Sequence, residues 1–260
     1  MTAGVTETIL EVIALDATDA VAATAGGADR LEIVSAIELG GLTPDPVTFA
    51  RIRAATGLPL RVMLRTNGGY RIAPDELDAL CGAAAALRRE GADGFVLGFL
   101  DADDAIDHGA IAALGAVIAP CPWTFHRAFD QVADARAAWT TVAGLPGADL
   151  ILSSGGPGEL GAGLDAYRQR APWQTAGLRW LAGGGLAGAH VAPLRAAGIA
   201  QFHAGRLVRA GGNWAHPVDA AATRALRAQL APNTGQRADP DTVGPVRGDG
   251  AEMLPGDGQG

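Results

Sequence analysis

The chain contains no lysine: all 20 of its basic residues are arginine. Without a side-chain primary amine there is no Schiff-base chemistry, which excludes lysine-dependent aldolase mechanisms and pyridoxal phosphate as a cofactor. Cysteine is almost as scarce. Cys81 and Cys121 are the only two, too few for a disulfide framework, and a reducing compartment is the expected setting. No apolar run approaches the roughly eighteen residues of a membrane span. The opening MTAGVTETILE lacks the basic start and long apolar stretch of a signal peptide, and an acidic Glu7 comes early. A cytoplasmic protein without a membrane partner is the expectation. Positive charge is also in deficit: the net charge is −8, and a mean field of that sign repels nucleic acid and anionic membranes.

What is present is a repeat. Four times a Gly/Ala-rich helix end runs through a small-residue turn into a β-forming run: GGADRLEIV from Gly26, EGADGFVLG from Glu90, PGADLILSS from Pro146 and a weaker AGIAQFHAG from Ala197. Between them fall four further strand candidates, TILEVIA, LPLRVMLR, PWTFHRAF and LRWLAGGG. Helical spacing of apolar residues marks Asp75–Arg89, Ile106–Ala119, Ala133–Ala143, Leu160–Arg170 and Val191–Ala197. Helix starts are signalled by Thr18, Asp45-Pro46 and Pro74-Asp75, and stops by Gly26-Gly27, Gly91 and Gly198. Eight strands alternating with helices predict an α/β fold, a closed (β/α)8 TIM barrel in a single domain over residues 8–230. A doubly wound open sheet is the alternative, but it calls for an early GxGxxG turn where this chain has EVIALDATDA. A short N-terminal arm (1–7) precedes the barrel. A Pro/Gly-rich tail (231–260) follows it, too poor in apolar residues to offset its ordering entropy and therefore expected to be disordered.

In such a barrel alternate strand residues face inward, and the C-terminal strand ends build the site. Period two turns Glu11 and Glu32 inward from the first two strands and adds Arg65 from the third, His126 from the fifth, Ser154 or Ser153 from the sixth and His203 from the eighth. Inward charges require partners, so Glu11, Glu32 and Arg65 are expected to form one network. The seven residues TFHRAFD bring His126, Arg127 and Asp130 to the mouth. Asp130 either orients the His126 ring or caps the following helix, and Arg127 either serves the mouth or makes an ion pair on the outer wall. The Gly-rich turn Gly183, Gly184, Gly185, together with Arg206, suits an anion approached by backbone N–H groups. Its other reading is tight turn geometry alone. His108, His190 and His216 read as surface residues, Cys81 as a small core residue, and Cys121 as lying at the opposite barrel face.

The stretches LEVIALDATDA, GADRLEIVSAIELGGLTPD, VMLRTNGGY, TFHRAFD, ILSSGGPGE and LAGGGL followed by FHAGR resemble, in order, the strand-end motifs of the CutC family of copper homeostasis proteins. The resemblance spans Ile9 to Leu230 and implies a (β/α)8 barrel and the handling of copper(I) as ligand. It also implies cysteines just after the first two glutamates, where this chain has Ile13 and Val34, and Pro-Arg after the third-strand arginine, where it has Thr66-Asn67, with Arg71 as a substitute cation. Soft thiolates and thioethers select copper(I). With Met63 the only methionine near the centre, a metal site here would fall to His126 and His203.

Two functions follow. By resemblance, the chain is a cytoplasmic copper-binding protein of copper homeostasis. By its residues, it is an enzyme of lyase or isomerase type acting on a small anionic or phosphorylated metabolite. In that reading Arg65 and the glycine turn hold the anion, Glu11 or Glu32 acts as acid and base, and His126 shuttles a proton or polarises. A third reading is a non-catalytic homodimer joined through outer helices, using Trp139 and Trp173, for which core packing is the competing explanation.

Overall fold

The computed structural model describes residues 7–175 and 177–231. The predicted arm and tail therefore lie almost entirely outside the described residues. In chain order the regular elements are β1 (Ile9–Ala14), α1 (Ala17–Gly26), β2 (Arg30–Ile33), α2 (Pro46–Ala55), β3 (Leu60–Met63), α3 (Pro74–Arg89), β4 (Gly94–Leu97), α4 (His108–Ile118), β5 (Trp123–Phe125), α5 (Ala135–Ala143), β6 (Ala148–Ser153), α6 (Leu160–Arg170), β7 (Arg179–Ala182), α7 (Gly188–Ala196), β8 (Gln201–Ala204) and α8 (Ala220–Gln229). Each strand pairs in parallel with its successor, and β8 pairs with β1, so the sheet closes as an eight-stranded barrel. Among the described residues no helix is long and apolar enough to cross a membrane.

Local chemistry sets the element boundaries. Asp16, Asp45, Asp107, Asp134 and Asp219 each cap a helix by accepting backbone N–H groups of the first turn, replacing water for donors that the helix leaves unpaired. Asp16 rather than Thr18 opens α1, and Asp107 delays α4 to His108 while Ile106 bridges to Leu100. Gly27, Gly91 and Gly198 end α1, α3 and α7 at φ values of 85°, 95° and 81°, a region that costs a side-chain-bearing residue energy.

The repeated Gly-Ala-Asp has a structural reason at two of its sites. Asp29 accepts from the Leu10 N–H at 2.7 Å while its own N–H donates to the Leu10 carbonyl at 2.9 Å. Asp93 does the same to Leu60, at 2.9 and 3.0 Å. Each aspartate thus ties the foot of an even strand to the foot of the odd strand before it. Asp149, in the third copy, instead pairs with Arg61 inside the barrel.

Outward strand residues such as Leu10, Leu31, Val62, Phe95, Phe125 and Phe202 pack under the helices in one large core. Inside the barrel only small apolar clusters remain, Ile13, Val34, Met63 and Val96 on one side and Leu150, Leu152 and Leu181 on another. Charged layers lie among them. Trp139 is 3% exposed and stacks 4.5 Å from Trp180, and Trp173 is partly buried against the same core. Core packing therefore accounts for Trp139, which offers no dimerisation surface.

Candidate functional site

The strand ends open into one cavity of about 820 Å³. Its lining includes Glu32, Arg65, His126, Gly184, Gly185, His203 and Arg206, all expected from sequence, and Arg127, for which the mouth is one of two readings, together with Tyr70, Glu159 and Trp214. Glu11, Asp130, Ser154 and Gly183 do not line it. They stand behind it.

Glu11, fully buried on β1, uses both carboxylate oxygens. One meets Nδ1 of His203 at 2.8 Å and the other accepts from Nε of Arg30. Burial alone would raise its pKa, but the Arg30 charge and the His203 hydrogen bond outweigh it and hold Glu11 well below the usual carboxylate range. The expected network of Glu11, Glu32 and Arg65 is thus corrected: the cation is Arg30. Arg30 is in phase with Glu32 on β2, so period two carried that signal, and placing the cation at the mouth rather than the floor missed it.

His203 bridges the two glutamates. Its Nε2 lies 3.6 Å from Oε2 of Glu32. Burial pulls the imidazole pKa down, but the Glu32 and Glu11 carboxylates more than compensate and raise it. Glu32 itself is 2% exposed, and its Oε1 has no hydrogen-bond partner among the described residues. Burial, opposed by His203 and aided by the Glu11 charge, pushes its carboxyl up to about 7. Gly183 makes this arrangement fit. A Cβ there would lie 2.6 Å from a Leu152 methyl and 2.9 Å from the His203 ring, so the close approach of His203, rather than anion contact, explains this glycine.

His126 follows β5, with its ring seated where Gly98 leaves room. Its Nδ1 accepts the Ala128 N–H at 3.1 Å. In the neutral ring the proton must then sit on Nε2. That Nε2 is buried, without a partner among the described residues. Burial, joined by the Arg65 and Arg127 charges, pushes the imidazole down to about 3, so it is uncharged at neutral pH. Asp130 neither orients it nor caps α5. Its carboxylate accepts from Ser153 Oγ at 2.5 Å, the Ser154 N–H at 3.0 Å and Arg127 Nε at 3.0 Å. Ser154 adds a bond to Arg127 Nη2 at 2.9 Å. Asp130 and Ser154 therefore aim Arg127 into the mouth, while Asp134 caps the helix. Gly184 accommodates the same guanidinium, since a Cβ there would lie 2.8 Å from Arg127 Nε.

Arg65 is 6% exposed and makes no ion pair among the described residues. Three backbone carbonyls hold it, those of Gly68, Gly69 and Gly40, the last two at 3.0 and 3.4 Å. The Tyr70 ring lies 4.8 Å from its guanidinium carbon. Arg206, by contrast, is already paired with Glu159 at 2.7 Å. Arg71, the expected substitute cation, pairs with Asp104 outside this cavity. Neither thiol is at the mouth: Cys81 sits on α3 and Cys121 precedes β5 at the far end. No group of three or more His, Cys, Asp or Glu able to hold a metal ion occurs among the described residues.

Comparison with known proteins identifies a family. The model of the CutC family matches residues 8–207. A CutC family protein of Xylella fastidiosa is 34% identical over 197 residues, covering 75% of this chain and 73% of the relative. The human copper homeostasis protein cutC homolog is 32% identical over 197 residues, covering 75% and 72%. The crystal structure of the putative copper homeostasis protein CutC from Streptococcus agalactiae superposes with a TM-score of 0.71 at 23% identity, covering 76% of this chain and 98% of that one, a likeness of fold.

Proposed function

This chain belongs to the CutC family, and from that premise we propose that its mouth is an acid–base active site for a small anionic or phosphorylated metabolite. The observation that carries the proposal is Arg65, a buried guanidinium that lines the cavity without a carboxylate partner among the described residues. A buried charge is stable only when paired or well hydrogen-bonded, and carbonyl dipoles alone leave Arg65 with N–H groups to spend on an incoming anion. Gly184 and Gly185 line the same cavity just before the N-terminus of α7 and add backbone donors to the anion's setting. Glu32 supplies the acid and base, with a pKa near the working pH where proton transfer in both directions is efficient. Glu11 and His203 position it.

Copper(I) is the ligand that the relatives' names suggest, and the residues here do not fit it. Of the four nitrogens on His126 and His203, Nδ1 of His126 is taken by Ala128 and the two of His203 face Glu11 and Glu32. One nitrogen and the Met63 thioether remain, short of the soft donor set that selects this ion. The two thiols are free, and a reducing cytoplasm is the setting this reading assumes.

The test is calorimetric titration of the full chain with inorganic phosphate, pyrophosphate and copper(I). Saturable binding of phosphate or pyrophosphate, weakened at least about tenfold by Arg65→Met, is the expected result, since losing a charge-assisted pair costs about 1.5–3 kcal/mol. Stoichiometric copper(I) binding with no anion binding would overturn it.

A further inference from the structure

Three features of the mouth specify the kind of bond that the site can attack. The first is the one buried carboxyl on the lining, since Glu159, the other carboxylate there, is exposed and paired with Arg206. Glu11 has both oxygens engaged and does not line the cavity, whereas Glu32 has a buried Oε1 without a partner among the described residues. The second is the ring N–H of His126, buried, unpartnered and locked by the Ala128 hydrogen bond into the tautomer that donates from Nε2. A neutral imidazole N–H is a donor for an oxygen on which negative charge develops, and it does not give up its proton beforehand. The third is the missing amine. With no lysine in the chain, a carbonyl cannot be activated as a lysine iminium, and the His126 N–H is the donor at hand to polarise it.

We propose, resting on the acid–base reading above, that the substrate is a small ketone or aldehyde carrying an anionic group and that the site enolises it. Arg65 holds the anion. Glu32 takes the proton from the carbon next to the carbonyl, the C–H electron pair becomes the new C=C bond, and the carbonyl π pair moves onto oxygen. The resulting enolate oxygen accepts a hydrogen bond from Nε2–H of His126. Return of the proton from Glu32 regenerates the carbonyl, so nothing is oxidised or reduced and no further reactant is consumed. Tyr70 walls the cavity beside His126, with the two ring centroids 5.4 Å apart.

The experiment is solvent-deuterium exchange followed by proton NMR in D2O, using the full chain with dihydroxyacetone phosphate, glycolaldehyde phosphate and 2-oxobutyrate. Dihydroxyacetone is the uncharged control. The expected result is loss of the signal of the proton next to the carbonyl in at least one anionic probe, faster than in enzyme-free buffer and faster than in the control. Glu32→Gln removes the exchange by about 100-fold or more and His126→Asn by about 10- to 100-fold. The exchange rate rises with pH through about 7 and levels off, because only ionised Glu32 abstracts the proton. If phosphate binds but none of the three anionic probes exchanges, enolisation is overturned and the anion site stands. If no anion binds, both fall. Exchange that survives Glu32→Gln would also overturn the assignment.

Discussion

At the scale of single residues, the site depends on burial acting on two groups in opposite senses. Glu32 has a folded pKa of about 7 against an ordinary 4.5, so between those values the folded chain keeps a proton that the unfolded chain has lost. Its contribution to stability therefore falls as pH rises through that window. His126 has a folded pKa of about 3 against an ordinary 6.5, so the unfolded chain protonates first and stability falls as pH drops through that window. Urea unfolding from about pH 4 to about pH 8 checks both signs. Glu32→Gln gains on the wild type toward the alkaline end, and His126→Asn gains on it toward the acid end. Period two was sufficient to turn Glu11, Glu32, His126 and His203 inward. It could not tell that Glu11 would be closed off and Glu32 left open, because that depends on where Arg30 and His203 reach across three strands.

At the scale of elements, close approach between backbones governs more than helix propensity does. Helix α6 lies against the loop after β6 at Gly163, where a Cβ would fall 1.8 Å from the Ser154 carbonyl oxygen and 2.8 Å from Gly155 Cα. Gly163→Ala is expected to cost about 3 kcal/mol or more, the upper range of overpacking, because both clashing partners are backbone. Gly82, on α3, meets nothing within 4 Å. Gly82→Ala should instead stabilise by about 0.5–1 kcal/mol through helix propensity. Urea denaturation of the two variants side by side distinguishes these outcomes. Helix ends marked by Asp-Pro or glycine were readable beforehand, since caps are local chemistry. The role of Gly163 was not, since its contact partner belongs to another element.

For the whole molecule, the polar interior is a tie across the barrel. Arg61 on β3 reaches Asp149 on β6, and it also donates to Thr124 on β5 at 2.6 Å. Removing either member leaves the other charge without its partner. Arg61→Ala is expected to lose about 3 kcal/mol and the less buried Asp149→Ala about 2, with the double variant losing clearly less than the sum. A double-mutant cycle by urea unfolding tests this, and strict additivity would show that the pair is not coupled.

Fold class, strand count, the glycine stops of the helices and the inward turn of Glu11, Glu32, His126 and His203 were determined by the sequence alone, because alternation, repeat spacing and glycine turns are local regularities that a chain carries in one dimension. Tertiary structure alone decided that Asp130 serves Arg127 rather than His126, that Arg65 stands without a carboxylate, and that Trp139 is core. Each of those outcomes is set by distances between strands far apart in the chain. Partnership among buried charges depends on angstrom-scale geometry, and no periodicity encodes it.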